Sequence, residues 1–238
     1  MSQEHILTLS CPDRVGLVAT LARLMERHGC FIASSRTFGD PDTGRFFARL
    51  VFQSEAGDTV PGGLRADLEK TGHELSADWG VHTVGEPVKT LLLVSKSDHC
   101  ANTLLYGARR GELPIEPVGI VSNHRTLEAG FAHWNLPFFH VPVTASMKAE
   151  AEARLFDLIE ETGAELVVLA RYMQVLSNDA CTRLAGNCIN IHHSFLQSPA
   201  DMIELGRHLE GTALLRAVKA HAEHRIFINS GKTVVFAR

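Results

Sequence analysis

Strands that are apolar at every position restrict the fold of this chain more than any other feature. From residue 89 onward, predicted strands alternate with predicted helices, and residues 91–94 (Leu-Leu-Leu-Val) and 166–169 (Leu-Val-Val-Leu) are apolar throughout. Such strands are buried on both faces, which is typical of parallel strands covered by helices on each side. The sequence therefore predicts an α/β domain with a mostly parallel sheet, whose ligand is expected outside the carboxyl ends of the strands.

The first part of the chain follows a different pattern. Its predicted elements run in the order βαββαβ, and Leu17, Leu21, Leu24 and Met25 fall at helical spacing on one side of the first helix. This order predicts a ferredoxin-like module with a four-stranded antiparallel sheet. We assign it to residues 1–84, with a linker at 85–88 and a second domain at 89–238 that ends in a helix and two short strands.

Composition excludes several classes of function. The net charge is −4 and no Lys/Arg-rich run is present, which argues against nucleic acid as a partner. The five cysteines are scattered without CxxC spacing, so neither a disulfide framework nor a structural zinc site is expected. The first residues lack the pattern of a signal peptide, and no apolar run approaches the length of a membrane span. We expect a cytoplasmic protein without membrane association.

The segment Asn190-Ile191-His192 contains the strongest candidates for catalysis. Residues two apart on a strand project from the same side of the sheet, so the Asn190 amide and the His192 imidazole are expected to face one substrate. Such a pair would present one hydrogen-bond donor and one proton-transfer group to a single substrate atom. The adjacent His193 points to the opposite face, so the two histidines do not form a metal site, and no metal is expected.

A short motif near the N-terminus, Asp13-Arg14-Val15-Gly16, stands where a strand enters a helix. One interpretation is structural, with Asp13 as the helix cap and Gly16 allowing close packing. The other is that the backbone N–H groups of this turn bind a small carboxylate ligand. The motif alone does not decide between them.

Four segments in the second domain together resemble one known family. They are residues 95–100 (SKSDHC), 121–124 (VSNH), 170–177 (ARYMQVLS) and 189–196 (INIHHSFL), and they follow an N-terminal module that resembles the ACT domain. In this order they are similar to the formyltetrahydrofolate deformylases over nearly the whole chain. The resemblance implies an ACT domain followed by a Rossmann-like formyltransferase domain. It implies hydrolysis of 10-formyltetrahydrofolate to tetrahydrofolate and formate, within one-carbon and purine metabolism, with no cofactor besides the folate substrate.

The resemblance also implies roles for individual residues. Asn190 would stabilise the oxyanion formed on the formyl group, and His192 would act as general acid or base. By the same resemblance, the folate would be bound by Arg171, Met173, Gln174, Val175 and Leu176. In the ACT-like module, Asp13, Arg14 and Gly16 would bind an amino-acid effector, for which the family suggests methionine or glycine. A homo-oligomer, dimer or tetramer, is expected by the same analogy.

One departure from the family pattern affects the predicted site. The family places an aspartate, in a segment of the form LDxGPII, several dozen residues after the Asn-x-His pair. Here Leu196 is followed directly by Gln197, so this segment is missing between 196 and 197. Asp201 is not a substitute, because it belongs to the first turn of the predicted C-terminal helix. Either the sequence omits a segment that the protein has, or the protein is a truncated form.

Two alternative functions therefore stay open. If the segment is truly deleted, the protein would be a folate- or amino-acid-binding protein without turnover. The other alternative is a folate-dependent formyltransferase. The turn at residues 95–100 contains none of the glycines that a nucleotide phosphate site requires, which favours water as the formyl acceptor.

Overall fold

The computed structural model describes residues 3–55, 57, 59–144, 146–191 and 200–237, and of residues 200–205 it describes the backbone only. The chain divides into two compact units. The first consists of Met1–Glu86 together with Glu223–Arg238, and the second of Pro87–Ala222. Among the helices of the described residues, none combines the length and the apolar character needed to cross a membrane.

The first unit contains the predicted βαββαβ order. Its elements are β1 (Glu4–Pro12), α1 (Leu17–Arg27), β2 (Cys30–Asp40), β3 (Arg45–Ser54), α2 (Gly62–Leu75) and β4 (Asp78–Thr83). The strands form one antiparallel sheet in the order β2-β3-β1-β4. The stripe on α1 is buried as predicted, together with Leu64 and Leu68 of α2. The ferredoxin-like prediction is confirmed.

The C-terminal strands belong to the first unit, whereas the sequence analysis assigned them to the second domain. They are β10 (Ile226–Asn229) and β11 (Lys232–Val235), which pair as an antiparallel hairpin. The Phe227 ring lies edge-on to the ring of Phe47 at a centroid distance of 5.6 Å. Asn229 Nδ2 donates a hydrogen bond of 2.6 Å to the Asp40 carboxylate. The predicted extent of the second domain, residues 89–238, is therefore corrected, because the second unit ends at Ala222.

The alternation of side chains along β3 explains this correction. Phe46 faces the helices and joins their core, so its neighbour Phe47 points to the opposite face of the sheet. Phe47 is nevertheless fully buried, because the C-terminal hairpin covers that face. The sequence of residues 225–236 reveals two strands, but it does not reveal which surface they cover.

The second unit is the predicted parallel α/β domain. Its elements are β5 (Val88–Val94), α3 (His99–Arg109), β6 (Ile115–Ser122), α4 (Glu128–Phe131), a 3-10 turn (Ala132–Trp134), β7 (Phe138–His140), α5 (Lys148–Thr162), β8 (Leu166–Leu169), α6 (Asn178–Arg183), β9 (Cys188–Asn190) and α7 (Ala200–Ala222). All five strands are parallel, in the order β7-β6-β5-β8-β9. Strand order reverses at β5, so the carboxyl ends of β5 and β8 are the expected ligand-binding edge.

Helices cover both faces of this sheet, as the fully apolar strands predict. Leu92 and Val94 of β5 pack in one core, and Leu91 and Leu93 pack in another on the opposite face. The short helix α6 was not predicted from the sequence, although its cap is typical: Ser177 Oγ accepts a hydrogen bond from the N–H of Ala180. The predicted start of the last helix, at Ser198, lies outside the described residues.

Candidate active site

The candidate site lies at the carboxyl edge of the parallel sheet. Asn190, the last residue of β9, stands level with Leu169 of β8, which in turn stands level with Leu93 of β5. Asn190 is exposed, so its amide is accessible to a ligand at this edge. His192, His193 and the junction between residues 196 and 197 lie outside the described residues. Of the predicted catalytic pair, the structure therefore describes Asn190.

The segment between β8 and α6, residues 170–177, forms a loop without regular structure, which we call the β8–α6 loop. It carries all the predicted folate-binding residues. Met173 and Val175 are 55% and 83% exposed, so the loop presents apolar side chains at its surface. Within the described part of the chain, no atom accepts a hydrogen bond from the backbone N–H groups of Gln174, Val175 or Leu176. The loop thus presents apolar side chains and open backbone donors together.

Two side chains from other elements fix the backbone of this loop. Ser95 Oγ, at the end of β5, accepts a hydrogen bond of 2.9 Å from the N–H of Met173. Glu152 of α5 accepts one of 2.7 Å from the N–H of Ser177 and one of 2.5 Å from its hydroxyl. The open donors lie between these two anchored positions, so their direction is set by Ser95 on one side and by Glu152 on the other.

The inner side of the loop is closely packed. Burial, together with the nearby Glu152 carboxylate, raises the pKa of Tyr172 to about 12, so its hydroxyl stays protonated at neutral pH. A cavity of about 20 Å³ lies beneath Gln174, Val175 and Leu176, which is room for about one water molecule. In this conformation the space is smaller than a pterin ring system.

Arg171, the second residue of the loop, has an uncommon backbone conformation, with φ of +67°. Its guanidinium lies 3.5 Å from the carboxylate of Glu210 on α7, and the other oxygen of Glu210 lies 2.9 Å from His99 Nε2. The three side chains are largely buried, so they form a shielded ionic cluster. The structure places the Arg171 side chain in this cluster, and its predicted contact with folate stays a prediction.

The same cluster contains a potential set of metal ligands. Donor atoms of His99, Cys100 and Glu210 lie within 4.8 Å of one another. However, the Arg171 guanidinium already supplies positive charge to Glu210. Burial raises the pKa of Cys100 to about 12, so its thiol is protonated at neutral pH. A divalent cation would have to compete with Arg171 and deprotonate Cys100, so we interpret the group as an ion-pair cluster.

Burial also predicts how the cysteines react. Cys11, Cys30 and Cys100 are buried, and burial raises the pKa of the half-buried Cys188 to about 11, whereas Cys181 is exposed. At pH 8, we expect an excess of an aromatic disulfide reagent to modify Cys181 rapidly and the other thiols only after unfolding, because the thiolate is the reactive form. Absorbance of the released thiolate measures this. Cys181→Ser should remove the fast phase, and a fast phase that persists in this variant would contradict the assignment.

The predicted effector residues lie together in the first unit. Asp13, Arg14 and Gly16 line one open surface pocket of about 620 Å³ beside α1 and β3. The structural interpretation of Asp13 as helix cap is wrong, because Gly16 occupies the cap position with φ of +94°. Close packing is also wrong as the reason for Gly16, since a Cβ there would meet no atom within 4 Å. Glycine is required by the left-handed backbone.

Comparison with known proteins identifies the family. A family model described as formyl transferase matches residues 88–202. A formyltetrahydrofolate deformylase of Corynebacterium sp. (strain P-1) is 34% identical, with 99% of each chain covered. The chain belongs to the formyltetrahydrofolate deformylase family. Crystal structures of deformylases from Burkholderia mallei and Pseudomonas putida match with a TM-score of 0.92 each, at 37% and 34% identity, covering 99% and 98% of this chain and 100% of each of those chains.

This deformylase family member is shorter than its relative. The alignment with the Corynebacterium deformylase extends over 284 positions, whereas this chain has 238 residues, so several dozen positions are occupied only in the relative. A deficit of this size supports the absence of the segment that carries the family aspartate. The junction itself lies outside the described residues.

The sequence did not reveal three residues that shape the candidate site. Ser95 and Glu152 anchor the β8–α6 loop, and Glu210 joins Arg171 to His99. Ser95 had a usable signal, because it stands at the carboxyl end of a buried strand. Glu152 and Glu210 had none, since each resembles an ordinary polar residue of a surface helix.

Proposed function

We propose that this protein hydrolyses 10-formyltetrahydrofolate to tetrahydrofolate and formate. The observation that carries the proposal is the extent of the similarity: 99% of this chain aligns with 99% of a deformylase, so it includes both units. The exposed Asn190 at the sheet edge and the nearby β8–α6 loop further support a reaction at this edge.

The proposed reaction is an addition followed by an elimination. Water attacks the formyl carbon, and a C–O bond forms while the carbonyl oxygen becomes an oxyanion. The Asn190 amide donates a hydrogen bond to this oxyanion, which contributes about 3 kcal/mol in a comparable site. His192 accepts the proton from water and delivers one to the folate nitrogen as the C–N bond breaks. The products are formate and tetrahydrofolate.

We place the pterin on the outer side of the β8–α6 loop. The N–H groups of Gln174, Val175 and Leu176 have no acceptor among the described residues and would be available to the polar edge of a pterin, while Met173 and Val175 offer exposed apolar surface. The space of about 20 Å³ beneath the loop is much smaller than a pterin, which supports placement on the outer side. In this arrangement backbone groups, more than side chains, recognise the folate.

A non-catalytic folate-binding protein is the second candidate. The observation that favours it is the deficit of several dozen positions against the Corynebacterium deformylase. Without the family aspartate, His192 would lack the group that orients it in the family. Such a protein would retain the loop and bind the folate without releasing formate.

One assay separates these functions and the transferase alternative. Purified protein is incubated with 10-formyltetrahydrofolate, and formate is measured with and without amine acceptors such as a glycinamide nucleotide. Hydrolysis predicts formate release that does not depend on an acceptor. Binding of folate without formate release would support the second candidate, and consumption of the folate only with an acceptor would support a transferase; either result overturns the hydrolase proposal.

We also propose that the first unit binds an amino acid, methionine or glycine, and that the protein forms a dimer or tetramer. The support for the effector is the cavity that brings Asp13, Arg14 and Gly16 together beside α1. The same formate assay, repeated with each amino acid, tests the effector. Light scattering of the purified protein tests the subunit number.

A further inference from the structure

The hydroxyl group of Ser95 connects the ends of three strands. Its Oγ donates a hydrogen bond of 2.7 Å to Asn123 Oδ1, which follows β6, and accepts the 2.9 Å hydrogen bond from Met173 N in the β8–α6 loop. Ser95 itself directly follows β5, which ends at Val94. A single buried hydroxyl therefore ties β5, β6 and the loop after β8 to one point at the ligand-binding edge.

The direction of these hydrogen bonds is fixed by chemistry. The Met173 N–H can only donate, so Ser95 Oγ must accept from it, and the hydroxyl proton is then directed at the Asn123 carbonyl oxygen. Ser95 and Asn123 are both buried, so loss of the hydroxyl leaves two polar groups without this partner. The position of the Met173 amide is thus determined by the Ser95 side chain.

The contact lies next to the open donors of the loop. Met173 immediately precedes Gln174, Val175 and Leu176, and the next side-chain anchor in the loop is at Ser177. Since the loop has no regular structure, these two anchors define the orientation of the donors between them. A shift of Met173 would turn the donors away from a bound ring.

We propose that Ser95 is a positioning residue for folate binding: it does not touch the substrate, but holds the β8–α6 loop in the conformation that binds it. The inference rests on the proposed function, because it takes a folate as the ligand of the loop. It predicts an effect on affinity, not on the chemical step, since Asn190 lies on a different strand.

Ser122 provides a matched control. It is also a serine at the end of a strand, β6, and its side chain is as buried as that of Ser95, at 0% against 2% exposure. Its hydroxyl donates to Ser95 O and accepts from His124 N, so it makes no contact with the loop. Ser95→Ala and Ser122→Ala each remove one buried hydroxyl with two partners, but only the first removes the loop contact.

The test compares these two variants with the native protein in three measurements. Tetrahydrofolate binding by calorimetry should weaken about 10-fold in Ser95→Ala and less than about 2-fold in Ser122→Ala. Formate release should show KM raised by a similar factor in Ser95→Ala, with kcat within about 3-fold of native. Hydrogen exchange in the ligand-free protein should be about 10-fold faster at the Met173 amide in Ser95→Ala only.

The measurements distinguish the possible failures. If the native protein binds folate and both variants bind it equally well, the positioning role of Ser95 is overturned while the proposed function stands. If hydrogen exchange at the Met173 amide is unchanged in Ser95→Ala, the positioning role of Ser95 is also overturned, whichever ligand the loop binds. If the native protein neither binds tetrahydrofolate nor releases formate, both proposals fall. A kcat that drops with KM unchanged would assign Ser95 to the chemical step and contradict positioning.

Discussion

Replacing Asn190 by alanine is expected to lower kcat for formate release by about 10²–10³-fold, because one oxyanion donor contributes about 3 kcal/mol to the transition state. The oxyanion exists only during the reaction, so substrate affinity should change no more than a few-fold. His192→Ala is also expected to abolish turnover, because this variant lacks the group that transfers the proton. Steady-state kinetics, together with calorimetry of tetrahydrofolate binding, measures both quantities.

Asn187 offers a matched control at the other end of the same strand region. It is exposed like Asn190, and its backbone accepts a hydrogen bond from Val167 N, which alanine preserves. Asn187→Ala removes a side-chain amide of the same kind, but away from the predicted site, and should leave kcat within about 2-fold of native. If Asn190→Ala instead loses folate binding while kcat at saturation is unchanged, Asn190 is a binding residue and the catalytic assignment is wrong.

Phe47→Ala is expected to have the largest effect on stability. Phe47 is fully buried between the sheet of the first unit and the C-terminal hairpin, in contact with Phe38 at 6.5 Å and Phe227 at 5.6 Å between ring centroids. Removing a buried phenyl ring leaves a cavity and costs about 3–5 kcal/mol of unfolding free energy. Phe31→Ala, on the edge strand β2 where the ring is 65% exposed, should cost less than about 0.5 kcal/mol.

The two tryptophans allow each unit to be followed separately. Trp79 lies in the first unit and Trp134 in the second. In a Trp134→Phe background, urea unfolding monitored by fluorescence therefore reports the first unit alone. Phe47→Ala should move this transition to lower urea, and the Phe31→Ala transition should stay near that of the background.

Phe227→Ala tests the assignment of the hairpin to the first unit. This variant removes the ring that covers Phe47, so it should also shift the transition reported by Trp79. In the double variant the two losses should be less than additive, because both mutations remove the same ring contact. If Phe227→Ala left the Trp79 transition unchanged, and instead shifted the Trp134 transition measured in a separate Trp79→Phe background, the hairpin would belong to the second unit and the structure would be contradicted.

Sequence periodicity was sufficient to predict the main architecture. The stripe of Leu17, Leu21, Leu24 and Met25 predicted a helix on one face of a sheet, and all four side chains are buried. The apolar strands at 91–94 and 166–169 predicted a doubly covered parallel sheet, which the two cores around β5 confirm. These predictions succeed because burial of a strand or helix face is encoded locally in spacing.

Features that depend on contacts between distant segments were not predictable in this way. The hairpin at residues 226–235 has an ordinary strand pattern, and only the three-dimensional contact with Phe47 reveals its location. At Gly16, the sequence suggested packing, but the actual cause is a left-handed backbone angle. Short helix α6 was missed because six residues show too little periodicity.

The candidate site likewise contains some features that are encoded locally in the sequence and others that depend on contacts between distant segments. The position of Asn190 and of the β8–α6 loop at the ends of strands was readable in the sequence, whereas their roles in binding and catalysis stay predictions. The side chains that hold the loop could not be predicted from the sequence. Ser95 and Glu152 are 57 residues apart, and both act by accepting hydrogen bonds from backbone N–H groups of the loop. Residues that act through another group leave little trace in a single sequence.

The return of the chain to its first unit has a consequence for biosynthesis. Residues 4–83 leave the ribosome early, but the hairpin that covers Phe47 follows only after the whole second unit has been translated. At ~5–20 residues per second, that delay is roughly seven to thirty seconds. During that time one face of the nascent sheet, including the Phe47 ring, is open to chaperones and to other nascent chains. The first domain to be made is thus the last to be completed.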